Sequence, residues 1–205
     1  MKTTVVVVRI AAALAILIAV LAQLASSVSS PVFAIPNFFG YFTIQSNLFV
    51  MVTLVLGAVW LARGRADPEW LLIARGATAT YIATTGLVYN TLLLNVPPSD
   101  FTVAWSNDIV HRWIPLIAVL DWIFVGDRRP IAWKRLGVFL IYPLVWLIVV
   151  LLRGQSFVPY PFLNTATLGW PVVLLYCVGI AAFIGGMSAL VIWLSRYRIL
   201  RVGAP

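Results

Sequence analysis

Apolar positions run through this chain in long blocks, not in the alternation of a half-buried strand or the single stripe of a surface helix. A helix crossing a bilayer needs roughly 17–25 predominantly apolar residues, at about 1.5 Å of rise each. Six blocks qualify, at about 5–25, 41–62, 70–94, 105–125, 136–152 and 168–194. The predicted fold class is therefore all-α: a polytopic membrane protein whose six transmembrane helices form one bundle, with residues 1–205 as a single domain. The first block could instead be a signal peptide, with Lys2 ahead of it and Val32-Phe33-Ala34 as the cleavage site. Its apolar run is longer than the roughly 7–15 residues of such a region, so it reads as a helix. Pro143 is expected to kink the fifth block, and Gly179, Gly185 and Gly186 to let the sixth approach its neighbours closely.

Composition agrees with the pattern. Hydrophobic residues make up 62% of the 205 and charged residues 10%, and the mean hydropathy is +1.02. A soluble fold of this size has no interior large enough for that much apolar surface, whereas a bilayer covers it. The formal charge of +8 need not mean nucleic acid, because its placement explains it. With the N-terminus cytoplasmic, Lys2, Arg63, Arg65, Arg128, Arg129, Lys134, Arg135, Arg196, Arg198 and Arg201 all fall in inner segments, against Arg153 alone in the outer loops. The positive-inside rule then puts both termini in the cytoplasm of a protein of the cell membrane, its basic loops against anionic lipid head groups. Nine Trp suit interfacial belts. The lone Cys177 permits no intrachain disulfide and reads as packing.

Topology also fixes depth. The second and fourth blocks both enter from outside, so Thr43, Ser46 and Asn47 lie near the layer of Asn107, Asp108, His111 and Arg112. The third block brings Tyr89 and Asn90 there from below. Polar groups at this depth are costly unless used. Asn107 and His111 are four apart and share a face, as do Asp108 and Arg112. Asp108–Arg112 reads as a self-neutralising pair, or as a device that lets Arg112 hold the carboxylate or phosphate of a lipid. Near the inner surface, Arg75 and Asp121 match in depth and oppose in charge, which predicts a structural salt bridge. Thr43 with His111 reads either as a plain interhelical hydrogen bond or as a hydroxyl activated by an imidazole base. Asn107 or Asp108 would orient that imidazole, and Asn47, Asn90 or Tyr89 would serve as oxyanion donors. One histidine without a carboxylate cluster is a poor ligand set, so no metal and no cofactor is expected.

Three short matches extend this reading. Phe42-Thr43 just inside the second block, Asn107-Asp108-Ile109-Val110-His111 followed by Pro115 and Asp121, and Tyr160-Pro161-Phe162-Leu163 before the last block occur in order along the chain. In these the chain resembles, as a distant relative, the androgen-induced-gene family of multipass membrane proteins, which are threonine hydrolases of fatty acid esters of hydroxy fatty acids. It departs from the animal members in the spacing of Pro115 to His111, in Arg112 and Trp113 standing where small residues do, and in its loops. The resemblance implies Thr43 as nucleophile, His111 as its base, and a lipid or fatty-acyl ester as substrate. The alternative is a non-enzymatic transporter or lipid-binding protein whose polar layer lines a path between helices.

Overall fold

A computed structural model describes residues 1–202. Its regular structure is helical: α1 (Lys2–Ser27), a short α2 (Ile35–Phe38), α3 (Phe42–Ala62), α4 (Glu69–Val88), α5 (Ala104–Asp108), α6 (Ile114–Phe124), α7 (Leu136–Arg153) and α8 (Thr165–Leu194). Two π-helical turns interrupt it. Tyr89–Leu93 prolongs α4, and Ile109–Trp113 joins α5 to α6 into one helical run over 104–124. Among the described residues, five helices are long and apolar enough to cross a membrane: Lys2–Ser27, Phe42–Ala62, Glu69–Leu93, Trp133–Ser156 and Thr165–Leu194. The run over 104–124, expected as a further span, is helical throughout but divided into three pieces and carries Asp108, Arg112 and Asp121.

The bundle is built around α4. Its span is 72% buried, against 17% for the span containing α7, and it packs on α3, α6, α7 and α8. The cause lies in Gly76-Ala77-Thr78-Ala79-Thr80 and Thr84-Thr85-Gly86, small side chains that let four neighbours approach. A Cβ at Gly86 would stand 2.7 Å from Cβ of Pro115, and one at Gly76 would meet the ring of Phe139 at 2.8 Å. The expectation for Gly179, Gly185 and Gly186 is corrected: a Cβ at any of them would meet nothing within 4 Å. α8 packs instead through Val173, Cys177, Ile184, Ser188 and Val191, and those glycines lie off that stripe. Its only non-helical residue is Gly169, at φ 73°, ahead of Pro171.

The predicted Arg75–Asp121 contact is present at 3.5 Å, as the weakest member of a larger cluster. Arg75 also meets Asp127 at 3.1 Å and pairs with Asp67. Arg9, which reads in sequence as a flaw in the first apolar block, bonds Asp121 at 2.9 Å and Asp127 at 2.5 Å. Two guanidiniums and three carboxylates thus pair with one another where α1 and α4 begin and α6 ends. The basic loop after α6 is not all solvated charge either. Arg128 is 1% exposed, lies over the Trp122 ring at 4.3 Å, and donates to the carbonyls of Val125 and Leu194. The tail closes this end through paired bonds of 2.8 Å, from Gly126 N–H to Leu200 O and from Leu200 N–H to Phe124 O.

Candidate active site

Thr43 is the second residue of α3, so its backbone N–H is among those a helix start leaves without an intrahelical partner. Its hydroxyl lies 3.2 Å from Nε2 of His111, across 68 residues of sequence. The other ring nitrogen, Nδ1, lies 3.0 Å from the carbonyl oxygen of Asn107. A carbonyl only accepts, so Nδ1 carries the proton of the neutral imidazole and Nε2 presents a lone pair. Thr43 Oγ1 then donates to Nε2, which is the arrangement of a hydroxyl nucleophile and its base.

Pro115 explains how His111 comes to face Thr43. Proline offers no N–H to the carbonyl four residues back and its ring crowds that carbonyl. The carbonyl four back is that of His111. The helix widens into a π-turn over Ile109–Trp113, and Ile114 N–H bonds Ile109 O instead. The freed His111 carbonyl accepts from Nδ2 of Asn90 at 3.3 Å. Single π-turns of this kind recur at functional sites. The second π-turn starts at Tyr89, whose ring stacks on the imidazole with centroids 4.0 Å apart and planes 21° apart. Asn107 Nδ2 donates to the Tyr89 hydroxyl at 2.5 Å. Imidazole is therefore fixed by a backbone acceptor on one edge and an aromatic face.

Several assignments made from sequence change. The imidazole is oriented by the backbone of Asn107, not by its side chain or by Asp108, whose carboxylate pairs with Arg112 at the surface. Arg112 lies over the Tyr89 ring at 5.7 Å and its Nε reaches Asn90 Oδ1 at 3.4 Å, but it lines neither cavity beside Thr43. Asn47 is fully buried, with Nδ2 committed to the carbonyls of Thr43 and Val110 at 2.9 and 3.1 Å. The Nδ2 of Asn90 likewise serves Gly86 O, at 2.7 Å, and His111 O. Asn47 and Asn90 thus hold helices together, because carbonyls exposed by helix starts and π-turns claim their amides first. Ser46 does the same, reaching Thr43 O at 3.1 Å and Thr85 Oγ1 at 2.9 Å. Of the four expected substrate contacts, only Tyr89 borders open space at the site.

Two cavities meet at the pair. One, of about 120 Å³, is apolar and lies between α4, α7 and α8, with Leu140, Leu144, Leu147, Cys177, Ile180 and Ile184 among its walls. Leu144 on its rim is 48% exposed, so the cavity opens between α7 and α8 on a face of the bundle that is apolar. The other, of about 650 Å³, lies under the loops and is lined by Gln23, Asn37, Ser99, Ser106, Asn107 and His111 among others. Thr43, Tyr89, Leu93 and Tyr160 border both. In sequence Tyr160 stands out only as part of the Tyr160-Pro161-Phe162-Leu163 motif. Its hydroxyl lies 3.5 Å from Thr43 Oγ1 and accepts from Thr43 N–H at 3.4 Å, a placement by a loop 117 residues away.

Comparison with protein-family models, with curated proteins and with solved structures returned no match to this chain.

Proposed function

We propose that this protein is an intramembrane threonine hydrolase that cleaves a lipid ester such as a fatty acid ester of a hydroxy fatty acid, and that it is a distant relative of the androgen-induced-gene family. The observation that carries the reading is the bonded Thr43–His111 pair at the junction of an apolar and a polar cavity. A lipid ester has the matching division. Its acyl chain suits the cavity between α4, α7 and α8, entered sideways from the bilayer, and its alcohol half suits the polar cavity, which also admits water.

The steps follow from the positions of the groups. Thr43 Oγ1 attacks the ester carbonyl carbon and passes its proton to His111 Nε2. The carbonyl π pair moves onto oxygen. The tetrahedral intermediate collapses by breaking the bond to the alkoxy oxygen, which takes the proton back from Nε2. Water from the polar cavity gives a proton to Nε2 as its oxygen bonds the acyl carbon; the bond from that carbon to Oγ1 then breaks, Oγ1 takes the proton back from Nε2, and the fatty acid leaves. The N-terminal amides of α3 favour the negative charge that develops beside Thr43.

In this reading the chain crosses the cell membrane six times with both termini cytoplasmic, the run over 104–124 being the fourth crossing. The charges on this run are paired, Asp108 with Arg112 on the surface of the bundle and Asp121 with Arg9 inside it, as a crossing requires. The rival reading, a transporter or lipid-binding protein, calls for polar groups free to line a path between the two polar layers. The hydroxyls there are already engaged. Thr84 bonds Thr80 O, Thr80 bonds Gly76 O, and Thr53 bonds Thr78.

Purified protein assayed against a panel of lipid esters separates the readings. Hydrolysis that falls at least about a thousandfold in both Thr43→Ala and His111→Ala supports the catalytic pair. Hydrolysis within tenfold of wild type in Thr43→Ala, or lipid binding without turnover, removes it.

A further inference from the structure

Besides the nucleophile and base, an ester hydrolase needs a donor aimed at the oxygen that becomes negative. The amides expected from sequence to supply it are engaged elsewhere, Asn47 and Asn90 holding backbone carbonyls, while the Tyr89 hydroxyl accepts from Asn107 and is not a hydrogen-bond partner of Thr43, as the Tyr160 hydroxyl is. Building on the hydrolase reading above, we propose that Tyr160 is the oxyanion donor, its hydroxyl hydrogen-bonding the carbonyl oxygen of the substrate as Thr43 attacks.

Five observations support it. The hydroxyl is 3.5 Å from Thr43 Oγ1 on the border of both cavities. The oxyanion forms beside Oγ1 on the same carbon, so a small displacement brings it to the about 2.7–3.1 Å at which such donors work. A lone pair of Tyr160 is turned to the start of α3, where Thr43 N–H donates to its oxygen at 3.4 Å. An oxygen that accepts from a backbone amide becomes a stronger donor through its own proton, so the hydroxyl passes the field of the helix start to the reacting atom. The proton has no acceptor other than Thr43 Oγ1 among the described residues. The ring is held in place, stacked on Phe162 with centroids 5.3 Å apart and flanked by Trp146 and Tyr41 at 6.0 and 6.1 Å. Burial pushes the hydroxyl up to about 12, so it keeps its proton at physiological pH.

In the balanced step, Thr43 Oγ1 bonds the carbonyl carbon, its proton goes to His111 Nε2, and the carbonyl π pair goes to the oxygen facing Tyr160. Tyr160 keeps its proton throughout and only shares it in a hydrogen bond.

The test uses the full-length protein and four forms: wild type, Thr43→Ala, Tyr160→Phe, and protein with Tyr160 replaced by 4-aminophenylalanine, which restores an N–H donor at the same reach. Turnover is read on a fatty acid ester of a hydroxy fatty acid, and the matching ether, which has no carbonyl, reports binding. The expected result for Tyr160→Phe is a kcat about 100- to 1000-fold lower, with KM and ether affinity within about threefold of wild type. The amino form should recover at least about tenfold over Tyr160→Phe. A packing role predicts the reverse order, with phenylalanine close to wild type. Turnover of Tyr160→Phe within threefold of wild type, a loss confined to KM, or no gain from the amino group would overturn the assignment while leaving Thr43 and His111 intact. Full hydrolysis in Thr43→Ala would instead remove the nucleophile, and the donor with it.

Discussion

At the scale of single residues, the carbonyl of Asn107 holds Nδ1 of His111 and so leaves Nε2 to face Thr43. Asn107→Ala keeps that carbonyl and loses only the side-chain bond to Tyr89, so a fall of less than about tenfold in kcat is expected, far short of the loss in His111→Ala. The spacing of Asn107 and His111 pointed to a partnership, but a backbone acceptor is common to every residue and leaves no mark in sequence. Thr43 and His111 could be set at one depth only on the expected topology, and Tyr160 belongs to a loop whose path packing decides. Cys177, read from sequence as inert, lines the apolar cavity. Cys177→Trp should fill it and lower kcat/KM for long-chain esters at least about tenfold while sparing short ones, as a chain-length series would reveal.

At the scale of elements, Pro115 and Gly86 work as a unit. The proline opens the π-turn that brings His111 to Thr43, and the glycine gives the proline ring room against α4. The proline could be read from sequence as a local disturbance, but which way it turned the histidine could not. Pro115→Ala restores an N–H that would claim the His111 carbonyl and close the turn. Thermal stability should hold or rise while turnover falls about a hundredfold, since a displacement near 1 Å has that effect on a reacting pair. Gly86→Val places a side chain 2.7 Å from Pro115, and should cost about 1–3 kcal/mol of stability, read from thermal unfolding in detergent. The helices themselves were legible to within a few residues, because unbroken apolar length is the strongest signal a chain carries.

For the whole molecule, the charge pattern along the chain did not indicate which ions are inside. Counting basic residues per loop cannot distinguish Arg128, which is buried over Trp122, from Arg129 beside it. Nor did it foresee that Arg9, Asp67 and Asp127 join Arg75 and Asp121. Burial would raise the Asp127 carboxyl, but Arg75 and Arg9 outweigh it and hold the group below the usual carboxylate range. A carboxyl depressed in the folded state adds stability above its unfolded pKa, and that stability fades as pH falls through the folded value. Wild-type protein should therefore lose stability progressively below about pH 4. Asp127→Asn should be about 3–5 kcal/mol less stable at neutral pH and show a flatter acid limb in denaturation curves. The account as a whole rests on Thr43 acting as a nucleophile activated by His111. Its most direct test is to incubate the purified protein with a fluorophosphonate and locate the adduct by peptide mass. The predicted adduct is on Thr43 and is lost in His111→Ala protein, whereas an adduct on another residue, or undiminished labelling of Thr43→Ala, contradicts the account.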